Sequence, residues 1–133
     1  MTPEERKAFL REHRLAIVGV ERKGAPPQLS RGYYVMDGDD LLISTTATRA
    51  KAKVIRHNSR VSVCVLGEKQ PFPYLTVYGR GQIETDGAVN VMMAVGGAMA
   101  GNPLPESMRP AIEERAKKEQ RVVLRVTPQS HYP

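Results

Sequence analysis

Between Leu41 and Gly67 lie 27 residues with no Asp or Glu and five cations: Arg49, Lys51, Lys53, Arg56 and Arg60. A helix starting after Thr48 as N-cap would place Arg49 and Lys51 in its first turn. A helix N-terminus already carries about half a positive charge, so a cation there is unfavourable by ~0.3–1 kcal/mol. Two cations in that turn, beside free backbone N–H groups and the hydroxyls of Ser44, Thr45, Thr46 and Thr48, would suit a phosphate. The alternative is a solvated helix face whose charges are incidental.

A second polar set, Gln28, Ser30 and Arg31, precedes Tyr33 and Tyr34. If its strand pairs with Leu41 to Thr46, these side chains fall near the same anion site; the alternative is an ordinary wet edge strand. Other chemistries find less support. His13, His57 and His131 are widely separated and none is near a second metal ligand, so no metal site is expected. Cys64 sits among valines and reads as a small buried side chain rather than a nucleophile. No nucleophile elbow, P-loop or dinucleotide fingerprint occurs. The methionines Met92, Met93 and Met99 read as core or subunit interface.

The elements that must position these residues follow from local signals. Thr2-Pro3-Glu4-Glu5 predicts a helix start, with Thr2 as N-cap, Pro3 in the first helical position and Glu5 closing a capping box. That helix runs to about His13. Strands are predicted at Arg14–Val20, Pro27–Met36 and Leu41–Thr46, the last two joined by the hairpin turn Asp37-Gly38-Asp39-Asp40. A helix follows over Arg49–His57, with Ala47, Ala50 and Val54 on its apolar face. Val61–Leu66 and Tyr74–Ile83 alternate as strands, and Gly79 and Gly81 inside the second imply a bulge or a close approach. Asp86–Pro105 is rich in Met and Gly and is expected to be helical in its first half. Glu106–Glu119 reads as a helix disturbed by Pro110, and Arg121–Thr127 as the final strand. Six strands joined mainly by hairpins, with helical additions, predict one antiparallel barrel domain over residues 1–133.

Composition sets the outer bounds. A chain of 133 residues buries about two-thirds of its unfolded surface, enough for one core. Its 41% hydrophobic and 26% charged residues exclude a wholly disordered tail. No apolar run reaches the ~18 residues of a membrane helix, and the charged start MTPEERKAFLREH does not read as a signal peptide. A lone cysteine excludes an internal disulfide framework, so a cytoplasmic location is expected. The net charge of +6 favours an anionic partner. Nucleic acid is disfavoured, because aromatics are 5% of residues, Trp is absent and the charge clusters at one helix start rather than along a stripe.

Taken together, RLAIVGV, PQLSRGYYVMDGDDLLISTT, TRAKAKVIRHNSRVSVCV, YLTVYGRGQIETD and RVVLRVTP resemble the split β-barrel proteins related to pyridoxamine 5′-phosphate oxidase. The likeness is nearest to the small-chain branch that uses the deazaflavin coenzyme F420. It spans about Arg14 to Pro128, and its most specific piece is Arg49-Ala50-Lys51 followed by a helix, Asn58-Ser59-Arg60 and an apolar strand. The resemblance implies a six-stranded antiparallel split barrel of the FMN-binding, Greek-key kind. It also implies a homodimer with cofactor sites in the clefts between subunits. Arg49 and Lys51 would then hold the cofactor phosphate, and Ser44, Thr45 and Thr46 would lie along its ribityl chain or ring. Gln28, Ser30 and Arg31 would lie near the ring and the substrate space.

The chemistry implied is hydride transfer to or from a conjugated small molecule such as an enone, a quinone or a tetrapyrrole like biliverdin. The protein supplies binding and orientation rather than a nucleophile. Arg31, Tyr34 and Tyr78 are the candidates for orienting substrate or donating a proton. Lys53, Arg56 and Arg60 would meet the polyglutamate tail of the deazaflavin, which FMN lacks. The alternatives are an FMN-dependent enzyme on the same fold, or a flavin- or haem-binding carrier without turnover. The Asp86–Pro105 segment has no clear counterpart in the family.

Overall fold

The computed structural model describes residues 1–133. Six strands close into a barrel: β1 (Leu15–Arg22), β2 (Ala25–Asp37), β3 (Asp40–Thr46), β4 (Arg60–Leu66), β5 (Tyr74–Glu84) and β6 (Arg121–Tyr132). Their order around the barrel is β1-β2-β3-β6-β5-β4, with every neighbour antiparallel and β4 returning to β1. The helices are α1 (Pro3–Glu12), α2 (Ala50–Ile55), α3 (Ala88–Ala100) and α4 (Arg109–Lys118). The expected antiparallel barrel with helical additions is what forms, and the chain crosses the barrel end only once, between β3 and β4, through α2.

The barrel interior is built by period-two alternation. Ala16, Val18 and Val20 of β1, Val61, Val63 and Val65 of β4, and Leu75 and Val77 of β5 all point inward and are buried. Leu41 and Ile43 of β3 join them, with Leu124 and Val126 of β6. Phe9 and Leu10 of α1 and Ile55 of α2 complete the same cluster. The capping box at Thr2 and Glu5 forms as predicted.

Two glycines allow this packing. A Cβ on Gly81 would stand 3.0 Å from both Ile55 Cδ1 and Leu124 Cδ1, so the bare backbone here admits α2 onto the barrel core. A Cβ on Gly79 would meet the Thr127 carbonyl oxygen, where the β5–β6 register shifts. Both the close approach and the bulge implied by the sequence are therefore present.

Some boundaries differ from the sequence reading. Helix α2 covers six residues rather than nine, and its N-cap is Arg49, not Thr48. Helix α3 continues through its glycines to Ala100. It is apolar on several sides because it is sandwiched: Ala88, Val91 and Val95 pack on Val123, Tyr33, Val35 and Leu42 outside the barrel, while Met92 and Met93 meet Ile112 and Ala116 of α4. Met99, in contrast, is exposed. Pro110 does not break a helix; a short 3₁₀ turn over Glu106–Met108 precedes it and it lies in the first turn of α4. Strand β6 runs on to Tyr132 because its last residues pair with Thr76–Tyr78 of β5. Cys64 is half-buried on the outer barrel face, not in the core. No helix is long and apolar enough to cross a membrane.

Gly81→Ala should lower stability by about 1–3 kcal/mol through overpacking. Adding Ile55→Val, which removes the nearest Cδ1, should return part of that loss. Urea denaturation of the two single variants and the double variant reads this coupling directly.

Candidate functional site

Strands β2 and β3 stay together only near their hairpin, where Tyr34–Asp37 pairs with Ile43–Asp40. Beyond it β2 remains on β1, with Tyr33 opposite Leu15 and Gln28 opposite Val20. Meanwhile β3 remains on β6, with Ser44 opposite Val123 and Thr46 opposite Arg121. The two strands thus diverge and the barrel splits. The polar part of β2 does not pair with Ser44–Thr46 as the sequence reading supposed; it borders the split from the other side.

Helix α2 lies across this region, and its Lys51 is 3% exposed. The Lys51 ammonium donates a hydrogen bond of 3.1 Å to the Arg31 carbonyl oxygen of β2. A Cβ at Gly32 would stand 3.7 Å from Lys51 Nζ, so that glycine leaves the amine its space. Lys51 has no carboxylate partner. Its pKa is lowered from 10.5 to about 8, chiefly by burial, with the Arg49 and Arg121 charges adding to the effect. A buried ammonium beside two guanidiniums and without a counter-ion is an electrostatic setting that favours an anion.

Arg49 is exposed at the helix start, and no side chain caps the N–H groups behind it. With only six residues in α2, the side-chain cations carry the positive field there more than the helix dipole does. Thr48 turns instead toward Thr46, their hydroxyl oxygens 3.5 Å apart.

Arg121 was not found by the sequence reading. Its guanidinium donates to Ser44 Oγ at 3.4 Å and to Glu119 at 2.9 Å. Arg121, Arg115 and Arg49 hold the Glu119 carboxyl below its ordinary pKa, Arg121 most strongly through its hydrogen bond. Only the pairing of Thr46 with Arg121 brings this residue to the site; no local motif around Arg121 signals it.

Three buried side-chain polar atoms in the whole chain lack a hydrogen-bond partner: Gln28 Oε1, Ser30 Oγ and Thr45 Oγ1. All three belong to the residue set read from the sequence. A buried polar atom left unpaired costs about 1–3 kcal/mol, so three of them gathered on the strands that flank the split point to a ligand that completes them. Their carbonyl and hydroxyl oxygens suit a ligand rich in hydroxyl and ring N–H groups.

The remaining sequence candidates are placed as follows. Arg31 is exposed, its guanidinium 5.8 Å from the centre of the Tyr33 ring. Lys53 and Arg56 are exposed, whereas Arg60 pairs with Glu21 at 3.4 Å. Tyr78 is on the outer face of β5 beside a cavity of about 500 Å³ that it shares with Leu29, Arg60 and Arg80. No hydrogen bond joins it to Lys51. No three His, Cys, Asp or Glu side chains cluster as metal ligands would.

Tyr34 does not donate a proton to or orient a substrate. It is a core residue, 1% exposed, and its hydroxyl donates 2.7 Å to the Leu10 carbonyl oxygen. That carbonyl is among the last four of α1, which have no partner within the helix. Burial raises the phenol pKa far above its ordinary value. Tyr34 therefore ties α1 to the barrel and offers no free hydroxyl to a substrate.

A six-stranded antiparallel barrel that splits between two strands, with a buried lysine at the split, defines the split-barrel class. Residues 2–132 match the family model described as pyridoxamine 5′-phosphate oxidase, and the chain belongs to that family. No curated protein matches it. Among solved structures it is similar to the conserved hypothetical protein Rv2991 from Mycobacterium tuberculosis, at 19% identity and a TM-score of 0.84, over 98% of this chain and 82% of that one. It is also similar to an F420 reductase, at 24% identity and a TM-score of 0.75, over 95% of this chain and 94% of that one. A third is the haem storage protein HutZ from Vibrio cholerae, at 16% identity and a TM-score of 0.69, over 98% of this chain and 92% of that one.

Lys51→Met should separate function from stability. Below pH 8 the folded protein holds a charged, unpaired lysine, so at pH 7 the variant should be more stable by about 1–3 kcal/mol while losing anion affinity. Between about pH 8 and 10.5 the unfolded wild type binds more protons than the folded one. Wild-type stability attributable to Lys51 should therefore rise with pH through that window, and the variant should lack the rise. Thermal unfolding from pH 7 to 10.5 reads both effects. By contrast, Tyr34→Phe should lower stability by about 1–3 kcal/mol and leave ligand affinity unchanged.

Proposed function

We propose that this protein is an oxidoreductase that binds the deazaflavin coenzyme F420 at the split and exchanges a hydride with a conjugated small molecule, of the enone, quinone or tetrapyrrole kind. The observation that carries the reading is the buried, counter-ion-free Lys51, with Arg49 and Arg121 beside it and the unpaired Gln28, Ser30 and Thr45 oxygens on the flanking strands. Arg49, Lys51 and Arg121 hold the cofactor phosphate. Thr45, with Ser44 and Thr46 beside it, faces the ribityl chain, and Gln28 and Ser30 orient the ring. When bound, the cofactor supplies the hydride chemistry at its ring carbon. The protein binds and orients it, and Arg31 stands at the substrate side. FMN shares the phosphate and ribityl chain. The exposed Lys53 and Arg56 favour the deazaflavin, because they lie one turn and nearly two turns beyond Arg49 and can receive its acidic tail.

The site works in a homodimer. The outer face of β1, β4, β5 and the end of β6 carries rows of uncharged residues: Ile17, Cys64, Thr76 and Tyr132 in one, Gly19, Ser62, Tyr78 and Ser130 in the next. Leu15, Ile17, Leu66, Tyr74, Tyr78 and Tyr132 are all exposed on this sheet. An apolar face of this extent is a subunit interface. Tyr78 lies within that interface.

Fluorescence titration with coenzyme F420, and separately with FMN, tests the cofactor. Micromolar or tighter binding of F420 with FMN much weaker is expected, together with a loss of roughly 10²-fold or more in Arg49→Ala/Lys51→Ala. FMN preference would move the protein to the flavin branch, and binding of neither would overturn the reading and bring haem or carrier roles forward. Sedimentation at micromolar concentration should show a dimer. Ile17→Asp should yield a monomer of reduced cofactor affinity; a wild-type monomer would remove the inter-subunit site.

A further inference from the structure

A groove of about 590 Å³ lies between the end of α1 and α3, on residues that the proposed cofactor site does not use. Its volume is in the range of small-molecule pockets. The floor is apolar: Met93, Ala94 and Ala98 of α3, with Leu104 from the turn after it. The small side chains at 94 and 98 keep that floor flat and open.

The rim is cationic. Arg11, Arg14 and Arg109 line the groove, and the one carboxylate there is Glu106. Glu106 is already taken by Arg109, which binds both of its oxygens at 2.8 and 3.3 Å. Arg109 also donates to Asn90, so its guanidinium is fixed from both sides. Arg11 and Arg14 have no such partner. Arg11 is exposed and Arg14 is half-buried, and neither side chain makes a hydrogen bond or an ion pair. A half-buried guanidinium without an acceptor, beside a second free one and an apolar floor, complements a ligand that is anionic at one end and apolar at the other.

We propose that this groove binds a small amphipathic carboxylate, its head on Arg11 and Arg14 and its apolar body on the α3 floor. The head prefers these two because Arg109 is neutralised by Glu106. The apolar body lies along Ala94 and Ala98 and ends against Leu104.

Isothermal titration with decanoate tests this on the full chain, with decyltrimethylammonium as the cationic control. Decanoate should bind with a dissociation constant in the micromolar range and the cation should not bind measurably. Affinity should fall tenfold or more in Arg11→Gln/Arg14→Gln, and also in Ala98→Phe, an exposed position where the larger ring fills the floor without entering the core. Arg49→Ala/Lys51→Ala should bind decanoate as wild type does. Equal binding of the cation, or undiminished binding in both groove variants, would overturn the proposal. Loss of binding in Arg49→Ala/Lys51→Ala alone would place the anion in the cofactor site and overturn it as well. Because that variant is also the cofactor-site variant, failure of the groove and failure of the cofactor reading are read separately.

Discussion

An ammonium group with almost no solvent and no counter-ion is the constraint around which the rest of the molecule is arranged. Lys51 is held by one backbone carbonyl, that of Arg31, and its nearest charged neighbours are Arg49 and Arg121. Desolvating a charge is costly, and like charges raise that cost further. A carboxylate nearby would remove the cost, yet Leu41 to Gly67 contains none. Glu119, the carboxylate beside Arg121, is engaged by Arg121 and Arg115. The protein thus carries at one point an unfavourable charge that an anion would relieve. This is the balance expected of a binding residue kept at the expense of stability.

The fold produces that point by withdrawing a strand pairing. Had β2 and β3 stayed paired over their full lengths, Gln28 and Ser30 on one side and Thr45 on the other would face a continuous wall. Their divergence leaves three oxygens buried and unpartnered and leaves room for α2 to place Lys51 against β2. The barrel tolerates the opening because its remaining five pairings are long and closed and because α2 is anchored from below: Ile55 seats on the bare backbone of Gly81. Phe9 and Leu10 of α1 pack against the same core, and Tyr34 ties α1 to β2 through the Leu10 carbonyl. The site is therefore positioned by rigid strands rather than by loops.

Much of this was legible from the chain. Alternation in Val61–Leu66 and Leu75–Val77 is a strong period-two signal, and it placed those strands correctly. The capping box at Thr2 is purely local, and it formed. The glycines of β5 signalled a bulge or a close approach, and both occur. What failed depended on distant residues. Thr48 has the right chemistry for an N-cap, but Ala47 and Thr48 form a turn and Arg49 is extended, so the helix starts later and is shorter. Tyr34 looked like a proton donor because nothing local reveals that its hydroxyl meets an orphan carbonyl 24 positions earlier. Arg121 was invisible for the same reason: its role exists only through the β3–β6 register. Helix α3 was read as half-formed because its glycines weaken intrinsic propensity, whereas burial between the barrel and α4 overrides that preference.

The distribution of charge argues for small anions rather than a polyanion. Most arginines of this chain are neutralised or engaged: Arg125 alone binds Asp37, Asp40 and Glu84, and Arg60 pairs with Glu21. Those whose side chains lack any hydrogen bond or ion pair are Arg11, Arg14, Arg31, Arg49 and Arg56. Four of the five border either the split or the α1–α3 groove. A nucleic-acid surface would need its free cations in a stripe spaced along a phosphate backbone. Here they are gathered at the split, beside unpaired polar atoms, and at the groove, beside an apolar floor. The net charge of +6 is therefore concentrated in part at two places where no carboxylate of the chain neutralises these arginines.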